Sequence, residues 1–185
     1  MDKVKQHLKD TYQLTGYQAA QVIFLFKSLF SEFSKMLIMG FLFHRHLPEY
    51  FFALFVMLFL RCTTGGIHFY TYWGCLLMSV SYVGLSILVL PLIPVLFPIK
   101  IALLIWAMLT CFIIGPVASK YRPVAPEKQT KKFRILSAAF ILLYTVLMII
   151  FPHVTFLNIG FWVIIMHSTQ LIVAKILKKG AHKND

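Results

Sequence analysis

Acidic side chains are scarce in this sequence. Six Asp and Glu stand against 18 Lys and Arg among 185 residues, and charged residues of both signs make up only 13%. A soluble domain carries about twice that charged fraction. With 59% hydrophobic residues and several apolar runs approaching the roughly 20 residues that cross a bilayer, the composition excludes a soluble globular protein and indicates an integral membrane protein. Cysteine is nearly absent too. Cys62, Cys75 and Cys111 form an odd set without paired spacing, which argues against a disulfide framework. A cleavable signal peptide is not expected, because the first apolar run begins near Val22, exceeds an h-region in length and lacks a small-residue cleavage site. No internal repeat stands out, and residues 1–185 read as one membrane domain.

The scarcity of acids leaves a formal charge of +12. In a soluble protein that balance would suggest nucleic acid. Here the basic residues sit in short connections and tails, as the positive-inside rule describes for cytoplasmic segments. The interleaved aromatics Phe51, Phe52, Phe55 and Phe59 lie inside apolar runs and do not line a basic groove. Nucleic acid is therefore not an expected partner, whereas membrane lipids are.

Residues 1–21 are polar, with Val4, Leu8 and Tyr12 recurring every four positions, which suits either a short helix at the membrane surface or an ordinary polar tail. Residues 22–43 are long enough to span. Lys27, Ser28, Ser31, Glu32, Ser34 and Lys35 fall on one helical stripe that lipid does not favour. Glu32 and Lys35, three apart, are placed to pair. The stripe reads as an internally paired packing face or as a polar wall for a peptide path, and an interfacial helix up to Lys35 is a third reading. Further apolar segments are expected at 49–60, 72–90, 99–119, 135–151 and 154–174, with Pro91, Pro94 and Pro98 punctuating one exit and Pro152 another. The 119–134 segment is the longest polar connection and is expected as a basic cytoplasmic loop. The fold expected is all-α, with about six transmembrane or re-entrant helices. With both termini cytoplasmic, the inner side receives the terminal lysines, Arg61 and the basic loop, while the outer side receives only Arg45 and Lys100.

Polar chemistry is concentrated at Arg61-Cys62-Thr63-Thr64-Gly65-Gly66-Ile67-His68, with Cys75 seven residues beyond His68. A bilayer tolerates such groups only where protein or a wet cavity surrounds them. On a continuous helix His68 and Cys75 would share a face but stand about 10.5 Å apart along the axis. General-base activation of a thiol needs contact near 3 Å. A catalytic pair therefore requires the chain to leave the helix between them, and Gly65-Gly66 permits that. Cys75 is then expected near the start of the next helix, where a thiol beside an imidazolium is activated.

Arg61 reads either as support for a developing oxyanion or a substrate carboxylate, or as an inside-positive anchor. Thr64, Gln170 or a backbone carbonyl can orient His68, since no acidic residue lies near it in sequence. Zinc binding by Cys62, His68 and Cys75 lacks a fourth ligand and the usual compact spacing. No metal or other cofactor is expected. Cys111 reads as core, and Tyr70, Tyr72 and Trp73 as an interfacial aromatic belt.

Arg61, Gly65-Gly66, His68 and Cys75, in this order and spacing, resemble the accessory gene regulator B (AgrB) family of bacterial membrane cysteine endopeptidases. Ser79, four residues past Cys75, fits that family's pattern, and so more loosely does the basic proline stretch from Tyr121 through Lys131 and Lys132. The resemblance implies that Cys75 is the nucleophile and His68 its general base and acid. Arg61, Gly65, Gly66, Ser79, Lys131 and Lys132 would then support the site or hold substrate. It also implies an AgrD-like quorum-sensing propeptide as substrate, cut through an acyl-enzyme thioester and released as a cyclic thiolactone or lactone. A homodimer in the bacterial cell membrane, with its active site on the cytoplasmic side, belongs to the same expectation. The alternative is a small membrane transporter or peptide exporter that uses the Lys27–Lys35 stripe and no covalent chemistry. A membrane scaffold without turnover is a third reading.

Overall fold

A computed structural model describes residues 15–66, 71–117 and 126–181, and their side chains except at 16, 17, 20, 21, 23–31 and 178–181. The described chain is helical, as expected. Six helices follow one another: α1 (Gly16–Leu42), α2 (Leu47–Thr64), α3 (Tyr72–Gly84), α4 (Phe97–Ile114), α5 (Glu127–Ile150) and α6 (Thr155–Ala181). A 3-10 turn at His44–His46 joins α1 to α2. Helix α3 runs on through a π turn (Leu85–Val89) and a 3-10 turn (Leu90–Leu92). Among the described residues five segments are long and apolar enough to cross a membrane: His44–Thr64, Tyr72–Leu92, Phe97–Ile114, Glu127–Ile150 and Thr155–Leu177.

The helix ends follow local chemistry. Thr15 and Gln18 form a capping box at the start of α1, the Thr15 hydroxyl accepting from the Gln18 amide and the Gln18 side chain accepting from the Thr15 amide. Pro48 and Pro98 sit in the first turns of α2 and α4, where a missing amide proton costs no helical bond. Helix α5 begins eight residues earlier than the apolar run 135–151, so Glu127 to Arg134 are helical rather than loop. Glu, Gln and Lys are good helix formers, and Glu127 in the first turn suits the helix dipole. A polar extension can therefore continue a membrane helix outward without a break.

Helix α6 is the centre of the bundle. It packs against α2, α4 and α5 and touches the turns that prolong α3. Phe161, Val163, Ile164, His167, Ser168 and Leu171 along it are fully buried. Lipid is as apolar as the side chains, so association rests on close packing and hydrogen bonds rather than on escape from water. Gly160 supplies one such approach: a Cβ there would collide with the Tyr144 hydroxyl, which donates to the Leu157 carbonyl at 2.7 Å. Three buried hydroxyls bond carbonyls one turn back, Ser86 on Tyr82, Thr145 on Ile141 and Ser168 on Ile164. Helix α1 packs on α3, with Met39 and Phe43 buried while Phe33, Leu37, Phe41 and Leu42 face outward.

Candidate active site

The chain leaves α2 at the diglycine. The Gly65 amide still donates to the Arg61 carbonyl at 3.0 Å, but Gly65 has φ 78° and Gly66 φ 155°. The left-handed value at Gly65 disfavours any residue with a Cβ. A second constraint acts on the same glycine. Gly65 forms an isolated parallel bridge with Val117, whose amide donates to the Thr64 carbonyl at 2.9 Å. A Cβ at Gly65 would strike the Val117 carbonyl, whereas one at Gly66 would meet open space. Just upstream, Arg134 Nε donates to the Gly115 carbonyl at 2.6 Å. The motif around Gly65 and the chain that leads toward the basic proline stretch are thus fastened to each other.

Helix begins again at Tyr72. The Thr71 hydroxyl caps it by accepting from the Gly74 amide at 3.2 Å, and the Cys75 amide donates to the Thr71 carbonyl at 3.1 Å. Cys75 therefore lies in the first turn of α3, and no single helix joins Gly65 to Leu76. The break in the helix that such a pair requires is present at Gly65, Gly66 and Thr71. His68 itself lies outside the described residues, as does its distance from Cys75.

The Cys75 side chain is 6% exposed and accepts from Lys35 Nζ at 3.3 Å. Lys35 is 3% exposed, donates to Glu32 Oε1 at 2.9 Å and lies 5.5 Å from the centroid of the Tyr72 ring. The Tyr72 hydroxyl in turn shares a 2.9 Å hydrogen bond with Ser34. The expected Glu32–Lys35 pair exists. Its extension to Cys75 was missed by sequence reasoning, because the two residues are 40 positions apart on different helices. The available signal was chemical: a lysine within an apolar helix must find an anion or a strong acceptor.

The remaining site residues are spread more widely. Ser79 follows Cys75 by one turn of α3, is 3% exposed, and its hydroxyl has no hydrogen-bond partner among the described residues. Arg61 is half-buried in the last turn of α2. Lys131 and Lys132 are exposed near the start of α5, whose main neighbours are α4, α2 and α6. Thr64 is occupied elsewhere: its hydroxyl donates to the Leu60 carbonyl at 2.7 Å and meets His167 Nε2 at 2.6 Å. Because a carbonyl only accepts, the Thr64 proton goes to Leu60, and His167 donates through Nε2. Gln170 is buried, and its amide nitrogen has no partner among the described residues. Cys111 is buried 3.7 Å from the Ser168 hydroxyl, and Cys62 is exposed.

Comparison with known proteins agrees with the motif. The model of a family described as accessory gene regulator B matches residues 2–171. A Clostridium beijerinckii protein whose name describes it as AgrB-like is 29% identical over 130 residues. That alignment covers 69% of this chain and 65% of the relative, so the chain spans just under two thirds of that protein's length. No solved structure matches the chain. Matched over nearly all of its length, the chain belongs to the accessory gene regulator B family.

Proposed function

We propose that this protein is a membrane cysteine endopeptidase that cuts an AgrD-like quorum-sensing propeptide and passes its acyl group to a nucleophile within the same peptide. The observation that carries the reading is the environment of Cys75. Its thiol is buried in the first turn of a capped helix, directly after a glycine-broken connection, and receives a hydrogen bond from a buried ammonium group. The ammonium group is placed to stabilise the negative charge that the sulfur carries as it attacks and departs.

The reaction runs in two acyl transfers. His68 takes the proton of Cys75, and the sulfur attacks the scissile carbonyl to give a tetrahedral oxyanion. Collapse breaks the C–N bond, and the protonated His68 gives its proton to the departing amine. The C-terminal part of the propeptide leaves, and a thioester links the remainder to Cys75. A thiol or hydroxyl inside the bound peptide then loses its proton to His68 and attacks the thioester carbonyl. The carbon–sulfur bond to Cys75 breaks, and a cyclic thiolactone or lactone is released. Exchange of one thioester for another changes bond energy little, while hydrolysis would discharge the intermediate. A buried sulfur limits water and favours the tethered nucleophile.

In this reading Arg61 supports the oxyanion or a substrate carboxylate, and Ser79, one turn from the sulfur and with no hydroxyl partner among the described residues, contacts the substrate. Lys131 and Lys132 attract an acidic propeptide tail. The site faces the cytoplasm, both chain termini lie on that side, and the protein works as a homodimer among anionic lipids.

The test is to incubate the protein in nanodiscs with a candidate propeptide and follow the covalent adduct and the cyclic product by mass spectrometry. Wild type should form both. Cys75→Ala should form neither, and His68→Ala should lower the rate by about 10²–10⁴-fold. Normal processing by Cys75→Ala would end this reading and favour transport without covalent chemistry.

A further inference from the structure

We propose that Lys35, on a helix outside the Arg61–Cys75 motif, is a further catalytic residue that holds the Cys75 sulfur as its thiolate and receives it again as leaving group. The assignment rests on Cys75 being the nucleophile. It is carried by the contact between Lys35 Nζ and Cys75 Sγ at 3.3 Å, with both side chains buried.

An ammonium group has three donors and no acceptor. At Lys35 one is directed to the Glu32 carboxylate and one to the sulfur, while the charge lies beside the Tyr72 ring. A neutral thiol is a weak acceptor and a thiolate a strong one. The second donor therefore favours the ionised sulfur. Glu32 does not remove this preference, since it fixes the ammonium in place through a neighbouring turn of α1 and leaves a donor for Cys75. The Ser34–Tyr72 hydrogen bond closes the same junction from the other side, tying α1 to the first residue of α3. Three contacts thus lock the ammonium against the reacting atom, and the capped start of α3 adds the positive end of a helix to it.

The same contact serves both acyl transfers. In the first, Lys35 stabilises the negative charge left on the sulfur as His68 takes its proton. In the second, the carbon–sulfur bond breaks as the peptide's own nucleophile forms its bond to the acyl carbon, and the electron pair returns to Cys75 Sγ. A sulfur held by an ammonium group is the better leaving group. Glu32 positions Lys35 and does not touch the sulfur.

Alkylation by iodoacetamide, an uncharged reagent, tests this without any propeptide. The adduct on Cys75 is followed by mass spectrometry in the full-length protein in nanodiscs, with exposed Cys62 as an internal reference for the reagent and buried Cys111, which stays protected only in the folded bundle, as the measure of folding. Lys35→Met should slow Cys75 alkylation at pH 7 by about tenfold or more, and the difference should close in strongly alkaline buffer. Lys35→Arg should keep most of the wild-type rate. Should Lys35→Met alone disturb folding by stranding the Glu32 carboxylate, the double variant Glu32→Gln/Lys35→Met removes both charges and should show the same loss. Equal Cys75 rates at pH 7 in the wild type and the folded neutral variants would overturn the proposal, as would an equal loss in Lys35→Arg. The peptidase reading fails separately: slowed alkylation in Lys35→Met with no processing of a propeptide would keep the role of Lys35 and remove the endopeptidase.

Discussion

Gly65 and Gly66 both take positive φ, but Gly65 meets a second demand that Gly66 does not. The φ of 78° at Gly65 is left-handed, and the space a Cβ would fill is taken by the Val117 carbonyl. Gly66 has no neighbour near its missing side chain. The conformational cost of a Cβ in the left-handed region is about 1–2 kcal/mol, and at Gly65 the collision with backbone adds to it. Gly65→Ala should therefore break the bridge to Val117 and lower the melting temperature of the purified protein more than Gly66→Ala does. Processing of a propeptide should fall with it. Equal melting temperatures for the two variants would mean that the bridge to Val117 contributes nothing. Next to Gly65, Thr64 links the same turn to the bundle centre. Thr64→Val removes both its bonds and leaves buried His167 without its partner, which should cost about 1–3 kcal/mol, read as a loss of thermal stability that Thr64→Ser largely restores.

The first turn of α3 presents Cys75, so its cap holds the proposed nucleophile in place. Thr71 accepts from the Gly74 amide, and loss of an N-cap costs about 1 kcal/mol. Thr71→Ala should loosen this turn, seen as faster hydrogen exchange at the amides of 73–75, while Thr71→Ser should keep the protection of the wild type. Unchanged exchange in Thr71→Ala would place the rigidity of the turn in the Lys35, Ser34 and Tyr72 contacts instead. These elements also show what the sequence made readable. The break after Thr64 was legible because two adjacent glycines carry a local conformational signal, and the turns at Pro91 and Pro152 were legible for the same kind of reason. The contact between Lys35 and Cys75 was not, because pairing rules on one helix find Glu32 and say nothing of a residue 40 positions away. The bridge of Gly65 to Val117 was hidden likewise, and so were the hydrogen bond of Thr64 to His167 and the helical state of 127–134, where a run of lysines resembles a solvated loop.

At the scale of the whole bundle, hydrogen bonds sort the helix ends into two groups before any membrane is considered. Lys100 Nζ bonds Asn158 Oδ1 at 2.8 Å and the Asn158 amide reaches the Pro91 carbonyl at 3.5 Å, which gathers the end of α3 and the starts of α4 and α6. At the other end, the bonds from Val117 to Thr64 and from Arg134 to Gly115 gather the ends of α2 and α4 with the start of α5. The second group carries Arg61, Lys128, Lys131, Lys132 and Arg134, and the first carries Lys100. Basic residues near the ends of membrane helices mark the cytoplasmic side, so the prediction is that the second group faces inward and that the C-terminal end of α6 lies on the same side. The location of the N-terminus then depends on α1 alone. Over its described residues 32–42, Phe33, Leu37, Ile38, Phe41 and Leu42 are exposed while Lys35 is buried, an apolar side turned outward, as lipid requires. A crossing α1 puts both termini in the cytoplasm and the His44–His46 turn outside. In a Cys62→Ser background, Arg45→Cys should react with a membrane-impermeant maleimide on intact cells, whereas Lys128→Cys should react only after permeabilisation. The reverse pattern would invert the bundle and place Cys75 on the wrong side for a cytoplasmic propeptide. Reaction of Arg45→Cys on intact cells, with a reporter at the N-terminus also found outside, would instead mean that α1 does not cross.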